Sequence, residues 1–153
     1  MKYLITISII LFTNISCTEK KLRMDVYMSP SCGCCKKWVT YLEDNGFEIN
    51  IFTDQNMRAV KTKYNISQEN TSCHTGIVDG YYIEGHVPAS DIKKLLKERS
   101  DIAGLTVPGM PAGQNVPGME TVNTNADYDV FSVNKAGVSK IWNSYNWYFL
   151  IIV

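Results

Sequence analysis

Four of the chain's five cysteines fall into one constellation: Cys32-Gly33-Cys34-Cys35, and Cys73 directly followed by His74. A single structural disulfide cannot use three such close thiols, because a pair needs a defined Cβ geometry and leaves the third sulfur without a role. The density points to thiol–disulfide chemistry or to a soft metal ion. Cys32 and Cys35 have C-x-x-C spacing and stand where the local pattern passes from strand to helix. Amides and dipole at a helix start favour anions, so thiolates are stabilised there. Lys36 and Lys37 break the rule against cations in a first helical turn, yet beside three thiolates their charge is favourable. The alternative is two solvated lysines on an exposed face.

Cys34 is the residue that a dithiol exchange site, with Cys32 as nucleophile and Cys35 as resolving thiol, does not need. With Cys73 it makes four soft ligands. Four thiolates can hold zinc, but the adjacent Cys34-Cys35 pair is awkward spacing for a closed tetrahedral site. Thiolates also select Cu(I), which accepts two or three sulfurs and tolerates clustering. Met110 and Met119 offer thioethers in mobile Pro-Gly contexts, or else serve as surface and gap-filling methionines. His74 and His86 are borderline ligands. His74 adjoins Cys73, whereas His86, ahead of Val87-Pro88, suits a hydrogen-bonded structural role as well. Two ordinary disulfides are the plain alternative for the four cysteines, although closing the short 32–35 loop yields little entropy.

The ends of the chain set the compartment. Residues 1–17 have the form of an export signal: a basic start at Lys2, an apolar run Tyr3–Phe12, then small or polar residues leading to Cys17. That run falls short of the roughly 20 residues a bilayer span requires. A cysteine in this place resembles a bacterial lipoprotein signal, so Cys17 is the expected lipidation site, although Asn14 stands where that pattern usually has Leu. The alternative is a plain secretory signal. Exported thiols oxidise unless a metal or a reductant holds them, and excess copper is a hazard that exported proteins meet directly. Fifteen basic and fifteen acidic residues cancel, and no basic stripe appears. Nucleic acid is therefore not an expected partner.

A single domain over residues 24–145 has to position these groups, leaving an apolar tail at 146–153. Met24–Met28 alternates as a strand; helical spacing from Cys34 places Cys35, Val39 and Leu42 on one face until Gly46. Phe47–Ile51 alternates again, and Asp54 is a helix cap ahead of Met57, Val60 and Tyr64. Asp79-Gly80 signals a hairpin between Thr75–Val78 and Tyr81–Glu84. Ala89–Arg99 follows as a helix. The order β-α-β-α-β-β-α predicts an α/β chain of thioredoxin-like fold with a mixed sheet, its first crossover joining parallel strands. Residues 100–124 are rich in Gly, Pro and Met, repeat Val-Pro-Gly-Met at 107–110 and 116–119, and read as a long loop. Asp129–Val133 and Val138–Tyr145 read as a closing C-terminal β-hairpin.

Cys32–Trp38, Cys73-His-Thr75, Val78–Tyr81, Ile83–Ala89 and the Val-Pro-Gly-Met pair together resemble a small bacterial metal-binding family. It was long catalogued as a domain of unknown function and includes the copper-resistance protein CopG. The likeness runs from about Met24 to Tyr145. It implies a periplasmic thioredoxin-like protein whose clustered cysteines bind copper and perform redox chemistry on it. Carried onto this chain, the copper ligands are Cys32, Cys34, Cys35 and Cys73, with His74, His86, Met110 and Met119 as further candidates. Expected partners are copper ions and copper-exporting or periplasmic copper-handling proteins, with membrane contact only through the lipid anchor. Proteins of the thioredoxin type carry a proline before the strand equivalent to Thr75–Val78. This chain has none, which weakens the case for a general disulfide reductase.

Overall fold

The computed structural model describes residues 21–120 and 124–146. The signal-like residues 1–17 with Cys17, and 147–153 of the apolar tail, lie outside the described residues. The described elements run β1 (Leu22–Met28), α1 (Gly33–Asp44), β2 (Phe47–Phe52), α2 (Met57–Lys63), a 3-10 turn (Gln68–Asn70), β3 (His74–Val78), β4 (Tyr81–Glu84), α3 (Ala89–Glu98), β5 (Gly104–Thr106), β6 (Asp129–Val133) and β7 (Ser139–Ser144). They make a mixed α/β structure around one seven-stranded sheet of order β2-β1-β3-β4-β5-β6-β7. β1 runs parallel to β2, and β4 runs parallel to β5. The other neighbouring strands are antiparallel.

Side-chain alternation gives the sheet two unlike faces. One is apolar: Met24, Val26, Met28, Val78, Ile83 and Leu105 pack with Trp38, Val39 and Leu42 of α1 and Ile92 and Leu95 of α3. The stripe at Cys35, Trp38, Val39 and Leu42 is what binds α1 to that core. The other face is mixed: a small cluster of Ile66, Tyr82 and Val133 lies alongside buried Thr75, Glu84 and Thr106. The β3–β4 hairpin turns at Asp79 (φ 47°) and Gly80 (φ 87°), two consecutive left-handed residues of the kind that matches strand twist.

Two expectations need correction. Asn56, not Asp54, caps α2, its side chain accepting from the Arg58 and Ala59 amides at 3.0 and 3.3 Å. The stretch 100–124 is not loop throughout, because Gly104–Thr106 forms β5 between β4 and β6. Three residues are too few to show a period of two. Their strand state comes from the partners on either side, which draw the closing hairpin into the same sheet. Among the described residues, no helix is long and apolar enough to cross a membrane.

Candidate metal centre

The cysteine site forms where β1 ends. Ser29 to Ser31 turn the chain, with the Cys32 amide donating to Ser29 O at 3.1 Å, and Cys32 then caps α1 in an extended conformation. No acidic residue occupies the first turn, and Lys36 and Lys37 are exposed. Cys32 and Cys35 are joined as a disulfide, while Cys34 and Cys73 are free thiols. Cys73 arrives from a distant part of the chain: antiparallel pairing sets Met28 opposite His74, so the residue before β3 lies beside the start of α1. The result is four Sγ atoms all within 4.8 Å of one another, with Cys34 Sγ 3.5 Å from Cys32 Sγ.

Two histidines extend the cluster from the sheet side. Cys73 Sγ lies 3.3 Å from His74 Nδ1 and 3.7 Å from His86 Nε2. His86 Nδ1 is 2.7 Å from the Pro117 carbonyl, which can only accept. Nδ1 therefore carries the hydrogen, and the lone pair of Nε2 faces the thiol. A backbone carbonyl on the far nitrogen is the usual way to orient an imidazole toward a metal. His74 is fully buried against the Trp38 ring at 4.3 Å, and His86 meets it edge-on at 5.0 Å. Its buried Nε2 has no hydrogen-bond partner among the described residues.

Burial, then the neighbouring His86, drives His74 down to about 3. Burial also lowers His86, against the pull of the Pro117 carbonyl. Both imidazoles are neutral at pH 7, the form that binds metals. Burial, then the neighbouring Cys34, pushes Cys73 up to about 11. A cation among these sulfurs would reverse that cost, because it favours the thiolate directly. Crowded thiols, two neutral imidazoles and one orphaned ring nitrogen make a donor set short of positive charge.

The other candidate ligands divide. Met119 is half-buried and packs on the main core. Met110 is 63% exposed. The segment Pro117-Gly118 lies across the start of α1, where a Cβ on Gly118 (φ 79°) would fall 2.7 Å from Trp38 N and 2.9 Å from Cys34 O. Only glycine allows that approach.

The sequence reading did not single out several residues that shape the site. Trp38 Nε1 donates to Val87 O at 3.0 Å and holds its ring under His74. The Pro117 carbonyl orients His86. Glu84, fully buried, accepts from Lys61, from Thr75 Oγ1 at 2.7 Å and from the Ser72 amide at 2.6 Å. A carboxylate inside an otherwise apolar return strand was the legible signal for the last.

A family model described as "Protein of unknown function, DUF411" matches residues 70–119. Two solved structures, "Copper resistance protein copG- Form 2" and "Copper resistance protein copG- Form 1", superimpose with a TM-score of 0.77 each and are 42% identical in sequence. The alignments cover 82% and 83% of this chain and 99% of each of those chains. No curated protein matches. With that identity over the whole length of the solved chains, this protein belongs to the DUF411 family that includes the copper resistance protein copG.

Proposed function

We propose that the protein is an exported copper-binding protein that holds Cu(I) through Cys32, Cys34, Cys35 and Cys73 and serves copper resistance or homeostasis. The observation that carries this reading is the convergence of four sulfurs within 4.8 Å, bordered by two neutral histidines. Soft sulfurs in that density suit Cu(I) better than zinc. The membership of copper resistance proteins in the family supports the same ion. His74 and His86 extend the donor set and half-buried Met119 follows the Gly118 that lies against Cys34, whereas Met110 would have to turn inward from an exposed position. The element order supports a thioredoxin-like fold. Residues 1–17 then direct export and Cys17 carries a lipid, leaving copper exporters or periplasmic copper carriers as partners.

The disulfide supports redox coupling. With Cys32 and Cys35 joined, only two of the four sulfurs are thiols. An external thiol reductant would supply two electrons, break the 32–35 bond and leave four sulfurs to bind, with release of thiol protons to solvent. Reoxidation would return the two electrons to an acceptor, re-form the bond and discharge the ion. Anaerobic Cu(I) titration of reduced protein lacking residues 1–17, against a competing chelator, tests the site. Tight binding lost in Cys34→Ser and in Cys73→Ser is the expected result. Equal binding in both variants overturns it.

The disulfide at a helix start also favours a second reading, a thiol–disulfide oxidoreductase with Cys32 as nucleophile and buried Cys35 as resolving thiol. Turnover in insulin reduction that survives Cys34→Ser but not Cys32→Ser would support it.

A further inference from the structure

We propose that Glu84, buried on the mixed face of the sheet and paired with the partly buried Lys61 of α2, is a positioning residue that sets the place of Cys73 through the Ser72 amide. Its consequence for Cu(I) rests on the reading above; the placement of the thiol does not. Cys73 lies outside the strands: the 3-10 turn ends at Asn70 and β3 begins at His74. The intervening backbone therefore lacks a strand ladder to hold it. Ser72 N–H instead donates to Glu84 Oε1 at 2.6 Å, and Ser72 Oγ donates to Gly109 O at 2.6 Å. Glu84 reaches this segment from β4, where it is the register partner of Thr75. Thr75 Oγ1 donates to Glu84 Oε2 at 2.7 Å and accepts from Lys61 Nζ at 3.2 Å. Lys61 of α2 also pairs directly with the carboxylate.

A structural role alone does not account for this choice of residues. Two charges taken out of water contribute little to stability, and an apolar pair of similar volume often does as well. An apolar pair, however, has no acceptor for the Ser72 amide. The carboxylate accepts from that amide, from Thr75 and from Lys61 at once, and thereby ties α2, β3 and β4 to the residue adjoining the thiol. Strand alternation then does the rest: Thr75 points to Glu84 while His74, one residue earlier, points to Trp38 on the opposite face. Cys73 enters the sulfur cluster from the fixed start of that strand.

Two double variants of the full chain separate positioning from packing. Glu84→Gln with Lys61→Met removes both charges and keeps an acceptor for Ser72 N–H. Glu84→Leu with Lys61→Met removes both charges and the acceptor. With the 32–35 disulfide intact, the rates of alkylation of Cys73 and Cys34 are read by mass spectrometry. In the Gln variant the Cys73 rate should stay within about twofold of the parent. In the Leu variant it should rise about tenfold, since a freed segment exposes a thiol whose reactivity follows its environment, while Cys34 stays unchanged. Equal Cys73 rates in the two variants overturn the proposal. Should the Leu variant not fold, the parent alone decides: slow hydrogen exchange of the Ser72 amide supports the tie to Glu84, and exchange at the rate of an open loop amide overturns it. None of these readouts uses copper, so a parent that fails to bind Cu(I) refutes the copper reading and leaves this one to its own result.

Discussion

The same tetrapeptide, Val-Pro-Gly-Met, occurs twice in this chain and meets two different environments. In both copies valine is buried, Val107 at 1% exposure and Val116 at 0%, and in both the glycine is left-handed, at φ 72° and 79°. There the likeness stops. Gly109 is held to the segment before Cys73, its amide donating to Thr71 O at 3.4 Å and its carbonyl accepting from Ser72 Oγ. A Cβ on it would meet nothing within 4 Å, and Met110 stands out in solvent. Gly118 instead presses on the first turn of α1, Pro117 orients His86, and Met119 closes the turn onto Val116 O at 2.9 Å. The tetrapeptide encodes an anchored Pro-Gly turn. Which copy borders the thiols is decided by what lies opposite.

Substituting the glycines breaks this comparison most sharply. Gly118→Ala should cost about 3 kcal/mol or more, because its Cβ overlaps main-chain atoms of Trp38 and Cys34 in addition to the left-handed strain. Gly109→Ala carries only the backbone cost, about 1–2 kcal/mol. Urea denaturation of the two variants measures the gap, and equal losses would show that the second copy does not press on α1.

The methionines give the next largest difference. Met119→Ala should lose about 1.5 kcal/mol by the same assay, since a half-buried side chain leaves the core. Met110→Ala, exposed, should stay within about 0.5 kcal/mol of the parent. If copper binds as proposed, chelator competition should also find Cu(I) affinity weakened more by Met119→Ala. An equal or larger effect of Met110→Ala would mean that the first copy closes over the thiols.

The smallest effect concerns how the second copy is tethered. Tyr128 OH donates to Asn115 O at 3.0 Å, one residue before Val116. Burial, then Tyr145 and Asp91, raises Tyr128 above its ordinary value near 10. The unfolded chain therefore loses this proton first. The tyrosine's contribution is whole below pH 10 and falls away as the pH climbs past it. Tyr128→Phe should lower stability by about 1 kcal/mol at pH 8. It should also flatten the alkaline decline, because one titrating phenol is gone. An unchanged alkaline slope in urea titrations between pH 8 and 11 would remove Tyr128 from this account.

Elements with their own period were readable from the chain: α1 from its apolar stripe, the β3–β4 hairpin from Asp79-Gly80, and β6 and β7 from alternation about Asn134–Gly137. The two misreadings arose where local signals compete or vanish. Asp54 and Asn56 are both good caps, and only the path of the chain selects the second. β5 is three residues long and becomes a strand through β4 and β6. At the site, the residue types of the thiol cluster were legible and Glu84 stood out only as a carboxylate in an apolar strand, while Lys61 and the Pro117 carbonyl act across more than twenty positions of chain and left no local pattern.

By itself the sequence determined the chemistry within reach: soft donors, their C-x-x-C spacing at a helix start, and two Val-Pro-Gly-Met turns. These are local properties of side chains and backbone angles. The tertiary structure decided which donors meet. The β1–β3 register sets Met28 opposite His74 and so brings Cys73 to Cys32, Cys34 and Cys35. Packing of Gly118 against α1 went with a half-buried Met119, while Met110 stayed exposed. Those choices depend on burial and hydrogen bonding between segments distant in the chain, so they exist only once the sheet has assembled.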